Sequence, residues 1–334
     1  MDESDDLRPI ADFLPGLDIV HRLQPTGSKA PKPKRTSISK IEQRLIDAAA
    51  ADPALQSVLF QHTIFCQTGM PYRDPGPEAR TWKRSNGIAT LMISAGSVID
   101  PRINDFVDVG LPFGPKPRLI LAHLNTEALR SGSPEIETER TLTRFVSHGL
   151  HLDANGHTMR VIKDQLARLS ACTIRLGMVK DGYGVQVQAQ IVTAFNVWLE
   201  KDHRQRVLWP STIRLSAEYF ESLQKHAVPL DETHLAALSH SAMALDVYAW
   251  LAQRLHRIDR NKPGFVPWVS VADQFGGGYE RIRAFRAVFK VALDQVLAVY
   301  RSAKVSTTAG GLTLKHSPPP VAPRLIAVRK SKSL

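Results

Sequence analysis

The chain has 334 residues, a net charge of +11, an isoelectric point near 9.8 and a mean hydropathy of −0.17. It contains no run of about 18 apolar residues, so we expect no membrane-spanning helix, and its acidic start at 2–6 is the opposite of the basic start of a secretory signal. The two cysteines, Cys66 and Cys172, form no metal or redox motif. We therefore expect a cytoplasmic protein with reduced thiols that meets a polyanion, most commonly nucleic acid, although a ribosomal or membrane-surface partner would give a similar charge.

The first part of the chain predicts an arm followed by a mixed α+β domain. Residues 1–40 begin acidic and become basic and proline-rich, which is typical of a disordered arm. We place an N-terminal domain at 41–209, with dimerisation and DNA contact as its expected roles. Its predicted elements are a helix at 39–51, strands at 89–94 and 105–109, a helix at 117–129 and a strand at 135–138.

The same domain continues with elements in the order expected of a winged helix. These are a short helix at 141–148, a helix at 158–171 and a hairpin at 172–188 that turns at 180–182. Apolar residues of the second helix share one face, while Arg160, Lys163 and Arg168 lie off that face. We interpret this helix as the first of two DNA-recognition helices.

The second half predicts the same plan again. We place a domain boundary near 208–216, so that a C-terminal winged-helix domain occupies 210–317 and a flexible basic, proline-rich tail occupies 318–334. A long helix is predicted at 231–258, a short helix at 270–275, a turn at 276–278 and a long helix at 279–300. A ribbon at 304–315 follows and reverses at 310–311. The fold class is therefore α+β and mostly helical, with two tandem winged helices and flexible tails.

The helix at 279–300 has an apolar stripe beside a basic face. Between 279 and 304 there are six Lys or Arg residues and two acidic residues. A surface helix with a solvated face gives a similar pattern, so the sign of the charge is what favours DNA. The DNA-binding residues predicted from both helices and the second ribbon are Arg160, Lys163, Arg168, Arg281, Arg283, Arg286, Lys290, Lys304 and Lys315.

Several phrases in one order resemble the RepA-type plasmid replication initiator family, over roughly residues 50–318. They are DPG at 74–76, WKRSNG at 82–87, LPFGPKPRL at 111–119, and HAVPL with ALDVYAWLAQR inside 220–257. The resemblance implies a protein that binds direct repeats of double-stranded DNA at a plasmid origin, promotes duplex opening, and recruits the host initiator and helicase. It also implies two winged helices, a monomer that binds origin repeats, and a homodimer that represses its own promoter at an inverted repeat.

Enzymatic alternatives find little support in the sequence. His148 and His151 have the wrong spacing for the metal pair of a rolling-circle nickase, although His157 lies nearby. Asp100, Asp105 and Asp108 invite a two-metal nuclease site but lack a partner Lys or Glu cluster. No P-loop occurs, and the glycines at 276–278 fit a turn better than a phosphate loop. The sequence therefore predicts no enzyme, no cofactor and no metal.

Two alternatives stay open at this point. A winged-helix transcriptional repressor without a replication role would carry the same DNA-binding face. The apolar segments 89–95 and 106–113 are candidates for a dimer surface, yet an apolar strand can equally belong to the core of a sheet.

Overall fold

The computed structural model describes residues 38–52, 56–100, 103–139, 141–180, 183–194 and 212–321. Most of the predicted arm and tail therefore lies outside the described residues. The described residues form an α+β fold, as predicted, with helices packed around small antiparallel sheets. None of the helices in these ranges is long and apolar enough to cross a membrane.

The first half contains five helices and nine strands within the described ranges. The helices are α1 Lys40–Ala49, α2 Thr63–Gln67, α3 Pro115–Ser131, α4 Leu142–Arg144 and α5 Gly156–Ala171. The strands are β1 Val58–His62, β2 Thr81–Asn86, β3 Ala89–Ser94, β4 Ser97–Asp100, β5 Asp105–Asp108, β6 Glu135–Glu137, β7 Thr173–Lys180, β8 Tyr183–Ala189 and β9 Val192–Ala194.

The second half, from residue 212, begins with a strand that joins a sheet of the first half. Its helices are α6 Ala217–His226, α7 Glu232–Leu238, α8 Ala242–Arg254, α9 Trp268–Phe275 and α10 Ile282–Val299. Its strands are β10 Thr212–Leu215, β11 Ala227–Asp231, β12 Gly264–Pro267, β13 Val305–Thr307 and β14 Gly311–Leu314.

The helix predicted at 39–51 is confirmed by α1, and its start has a local cause. The Ser39 hydroxyl accepts a hydrogen bond from the Glu42 N–H (3.2 Å), and the Glu42 carboxylate accepts one from the Ser39 N–H (2.8 Å). This reciprocal arrangement satisfies two amide donors that a helix start leaves unpaired. This cap sets Lys40 as the first residue of α1.

The prediction of one long helix at 231–258 is wrong. The structure divides this segment into α7 and α8, and a 3₁₀ turn at Leu255–Arg257 follows α8. The break has a local chemical signal: the Ser241 hydroxyl accepts from the Ala244 N–H (3.2 Å) and begins a new helix. Similarly, the short helix predicted at 141–148 is a single turn, α4, continued by a π turn at Phe145–Gly149.

The strand predicted at 89–94 is confirmed as β3 and lies inside a sheet. It forms the interior of a sheet ordered β2-β3-β7-β8, so partners occupy both of its edges. Ala89, Leu91 and Ile93 are fully buried on one face of this strand. The alternative interpretation of this segment, sheet core, is therefore the one that the structure supports.

The first predicted winged helix has the predicted order of elements but a different pairing of strands. Its hairpin, β7 and β8, extends the sheet from β3, whereas β6 pairs with β10 in a separate sheet ordered β6-β10-β9. In the second half, β12, β14 and β13 form one sheet with β14 in the middle. The two halves thus share an order of helices and strands, but their strands pair differently.

The two halves of the chain share a core across the predicted boundary at 209/210. The strand β1 pairs with β11 over five residue pairs, from Val58 opposite Asp231 to His62 opposite Ala227. One connected cluster of buried apolar side chains runs from Leu45 to Val321. Val321 belongs to the segment predicted as a flexible tail, so the core extends at least four residues past 317.

Candidate nucleic-acid interface

The helices α9 and α10 are joined by a short turn and packed against each other through aromatic side chains. Phe289 of α10 contacts Trp268 and Phe275 of α9, with ring centroids 5.8 and 5.5 Å apart, and Phe285 lies 5.5 Å from Phe289. The turn between them requires glycine, because a Cβ on Gly276 would clash with the backbone of α9 and Gly278 has a φ of 88°. The predicted turn is confirmed.

The exposed face of α10 carries the predicted basic residues next to the turn of the ribbon. Arg283 and Lys290 are exposed, and with Arg286 they follow the helical spacing of one face. The Arg286 guanidinium lies 4.7 Å from the centre of the Trp268 ring and donates to the Ala309 carbonyl (3.0 Å). Arg286 therefore connects α10 to the turn of the β13–β14 ribbon.

The N-terminus of α9 also fixes the turn of that ribbon. The Trp268 indole N–H donates to the Thr308 carbonyl, and the Trp268 amide donates to the Gly310 carbonyl, both at 3.0 Å. Arg281, also exposed, stands directly before the first residue of α10. The ribbon turn, the start of α10 and its basic face thus form one surface, which we call the α10 surface and define as Arg281, Arg283, Arg286, Lys290 and residues 308–310.

Lys304 and Lys315 do not belong to the α10 surface. They face each other at the other end of the ribbon, where the Lys315 N–H donates to the Lys304 carbonyl (2.9 Å). With 18 residues, α10 is about 27 Å long, and Lys304 follows its C-terminal end. The structure places both lysines in a groove with Arg260 and His316.

The three residues predicted from α5 have different surroundings. Arg160 is exposed and Lys163 is partly exposed. Arg168 has a half-buried guanidinium, which donates to the Leu111 carbonyl (3.1 Å), pairs with Asp164 (3.0 Å) and lies 5.0 Å from the centre of the Phe113 ring. We therefore assign Arg168 to holding the segment 111–113 against α5.

Arg84 makes a contact beside the α10 surface that the sequence did not reveal. Its guanidinium donates to the Asp273 carbonyl near the end of α9 (3.0 Å) and lies 4.8 Å from the centre of the Trp82 ring. A Cβ on Gly277 would overlap with this guanidinium. Arg84 thus connects β2 to the turn that precedes α10. The partners are 189 residues apart, so no local pattern indicates the contact.

Replacing Arg84 with methionine is expected to loosen the turn at 276–278 and lower the free energy of unfolding by about 1–3 kcal/mol, because a charged donor to a backbone carbonyl is removed. Hydrogen exchange at the amides of 276–281 should accelerate relative to the wild type. Lys83→Met is the control, since Lys83 is the exposed neighbour on the other face of β2. Equal exchange in the two variants would show that Arg84 does not hold the turn.

Three of the groups considered for metal or nuclease chemistry make contacts with other side chains. His151 Nε2 pairs with the Glu232 carboxylate (2.7 Å), and His148 Nδ1 contacts the Ser147 hydroxyl (2.8 Å). Asp108 accepts from the Ser97 hydroxyl (2.6 Å) in the β4–β5 hairpin. Across the described ranges, no three His, Cys, Asp or Glu side chains converge as metal ligands would. These groups serve as contacts within the fold.

Two histidines should titrate in opposite directions from the ordinary value. His62 is buried, accepts from the Ile64 N–H at Nδ1 (3.2 Å) and donates from Nε2 to Ser222 (3.0 Å), and burial lowers its pKa to about 3. The hydrogen bond to Glu232 raises the pKa of His151 above its usual value.

The His62 contribution to stability should be lost as pH falls below about 6.5, since the unfolded chain then binds a proton that the fold excludes. The His151 contribution is present at low pH and is lost as pH rises through its raised pKa. An NMR titration of the imidazole protons checks both. A His62 midpoint near 6.5, or a His151 midpoint below it, would contradict the respective assignment.

Comparison with solved structures finds a weak likeness to domains 2 and 3 of RctB. A crystal structure of selenomethionine derivatives of these domains shares 10% sequence identity and a TM-score of 0.48, and covers 76% of this chain and 98% of that chain. A second crystal structure of RctB domains 2-3 shares 10% identity and a TM-score of 0.44, and covers 75% and 94%. No property of this chain follows from so weak a likeness. No curated protein matches the chain.

The match to a protein family is more informative. Residues 111–269 match the family described as plasmid encoded RepA protein. The matched region starts at LPFGPKPRL and contains the phrases at 226–230 and 244–254, and it ends at the second residue of α9, before the α10 surface. Over residues 111–269, the chain is thus similar to the RepA-type plasmid replication initiator family, in agreement with the resemblance of its short phrases.

Proposed function

We propose that the protein initiates plasmid replication by binding specific double-stranded DNA, with α10 in the major groove. The α10 surface carries this proposal. Its arginines stand on one exposed helix face beside the ribbon turn, and arginine pairs bidentately with the guanine edge in the major groove. We assign Arg283 and Arg286 to base contacts, and Arg281 and Lys290 to phosphates.

The order of elements around α10 supports a winged-helix assignment for 242–317. The order is α8, β12, α9, α10, β13 and β14, and the three strands form one antiparallel sheet. In helix-turn-helix proteins the second helix enters the major groove with its N-terminal residues on the base edges. That end of α10 carries Arg281, Arg283 and Arg286.

For the first half we propose a supporting contact. Arg160 is exposed on α5 and Lys163 lies on the next turn, and both fit contacts to phosphates. Arg168 is left out because its side chain is only 15% exposed and its guanidinium is engaged inside the fold. Copies bound along repeats would bend the duplex and strain an adjacent AT-rich segment, while the host initiator and helicase, once recruited, would complete the opening.

We propose that a homodimer of this chain forms through the β4–β5 hairpin. Ile103 and Phe106 are 63% and 71% exposed there, and Ile99 stands opposite Phe106. Within the described ranges no other strand pairs with this hairpin. Its apolar surface and open edges suit pairing with an identical hairpin, because a two-fold dimer uses the same patch on both copies.

Phe106→Ser should shift the protein toward the monomer by at least tenfold in dissociation constant, because an exposed aromatic at the centre of an interface contributes about 1.4 kcal/mol or more. Sedimentation velocity over a concentration series measures the shift. Phe265→Ser is the control, since Phe265 is 56% exposed on the C-terminal sheet. The same dissociation constant for Phe106→Ser and the wild type would place the dimer contact elsewhere.

The proposed function is tested by titrating the full chain, over a salt series, into labelled DNA flanking its own gene, with footprinting of the bound region. Protection of evenly spaced direct repeats supports an initiator. A single protected palindrome at a promoter supports the alternative, a winged-helix repressor without a replication role. Weak, uniform binding without a footprint, or metal-dependent cleavage, would overturn the proposal.

A further inference from the structure

A second basic surface lies at the end of the C-terminal unit opposite the ribbon turn. It is a groove of about 490 Å³ lined by Asp259, Arg260, Pro263, Lys304, Lys315, His316 and Pro318. We call it the basal groove. Arg260, Lys304 and Lys315 are exposed, and the Asp259 carboxylate accepts from the Asn261 N–H (2.7 Å). The groove therefore has an excess of positive charge.

The backbone around the groove is well fixed. The His316 ring contacts the Ile258 carbonyl through Nδ1 (3.0 Å), and the Lys304 N–H donates to the Ser317 hydroxyl (2.9 Å). The Lys315 amide completes the pairing with Lys304. The cationic side chains thus stand on a rigid base, which lowers the entropy lost when they bind a ligand.

The basal groove is a separate surface from the α10 surface. Lys304 follows the C-terminal end of α10, whereas Arg281 and Arg283 stand at its N-terminal end, and a helix of 18 residues is about 27 Å long. The groove is therefore available to a phosphodiester segment other than the one that α10 would read.

The lining of the groove favours a phosphodiester backbone over base edges. Its lining consists of two prolines, three cations, Asp259 and His316, and it includes no Phe, Tyr or Trp side chain on which a base could stack. Lysine acts on phosphate as a point charge and gives sequence-independent, salt-dependent binding.

We propose that the basal groove binds the phosphate backbone of a second double-stranded DNA segment without regard to its sequence. One protein then holds two DNA segments, one on the α10 surface and one in the groove. The groove goes beyond the proposed function, and only the bridging of two segments rests on DNA binding by α10.

The test is a capture assay with the full chain. A biotinylated duplex flanking the protein's own gene is fixed to beads, and a fluorescent duplex of about 30 bp and arbitrary sequence, roughly three helical turns long, is the second ligand. The variant Arg260→Gln/Lys304→Gln/Lys315→Gln removes the groove cations. Its control is Lys40→Gln/Lys83→Gln/Lys225→Gln, which removes the same charge from exposed positions elsewhere. Thermal unfolding checks that both variants fold.

The groove variant should capture at least fivefold less fluorescent duplex than the charge-matched control, with its footprint on the fixed duplex unchanged. For the second duplex, the slope of log K against log salt should fall by about 0.9 for each phosphate that the variant no longer neutralises. Equal capture by the two variants would contradict DNA binding by the basal groove, even if an acidic protein segment is found to bind there. Arg283→Ala should lose the footprint on the specific duplex while it still binds the arbitrary duplex in solution, which separates the two surfaces. If the wild type gives no footprint, the proposed function is overturned, but DNA binding by the groove is not.

Discussion

Replacing Asp246 with alanine is expected to lower the free energy of unfolding by about 3–5 kcal/mol, because it leaves a buried guanidinium without its counter-charge. Asp246 of α8 accepts from Nε and Nη2 of Arg118 of α3 at 2.6 and 2.8 Å, and both side chains are buried. Arg118 also donates to the carbonyls of Met70 (2.7 Å) and Gly114 (2.6 Å). The pair links the two halves of the chain at the centre of the fold.

Urea unfolding followed by circular dichroism measures this destabilisation. Glu127→Ala is the control, since it removes the exposed ion pair with Arg130 (3.0 Å), which contributes about 0.5 kcal/mol or less. The double variant Arg118→Met/Asp246→Leu should be more stable than Asp246→Ala, because no unpaired charge remains. Equal stability of Asp246→Ala and Glu127→Ala would mean that solvent reaches Arg118.

Arg283→Ala should weaken binding to the footprinted site by about 5- to 150-fold, the effect of about 1–3 kcal/mol for one bidentate base contact. Discrimination against a mutated site should fall by a similar factor, since removing a base contact affects specific binding most. Arg283 is exposed, so the fold should be unaffected. Arg286→Ala should weaken binding further, because this variant also removes the interactions with Trp268 and Ala309.

Competition binding with specific and scrambled duplexes measures both effects. Lys225→Ala is the control, an exposed cation in the last turn of α6, for which affinity and specificity should stay within about twofold of the wild type, since it carries charge without a base contact. If Arg283→Ala and Arg286→Ala leave both affinity and base preference unchanged, α10 is not the recognition helix.

Local chemistry within the sequence determined the elements that carry the proposed DNA contact. The apolar stripe of Phe285 and Phe289 predicted α10, and the glycines at 276–278 predicted the turn before it. The helix predicted from residue 39 begins directly after the Ser39 cap. These signals depend on residues a few positions apart, and so they are readable without the fold. The family resemblance, carried by short phrases, is confirmed over 111–269.

The tertiary structure alone decided which strands pair and which arginine side chains are engaged in contacts within the fold. Arg168, Arg84 and Arg118 are all arginines in the sequence, yet the first holds a loop, the second contacts a helix end and the third is buried. The Arg118 pair joins residues 128 positions apart, and β6 pairs with the distant strand β10 in the other half of the chain. Such contacts depend on the packing of the whole chain, because burial and partner geometry set the energy of a charge or a strand edge.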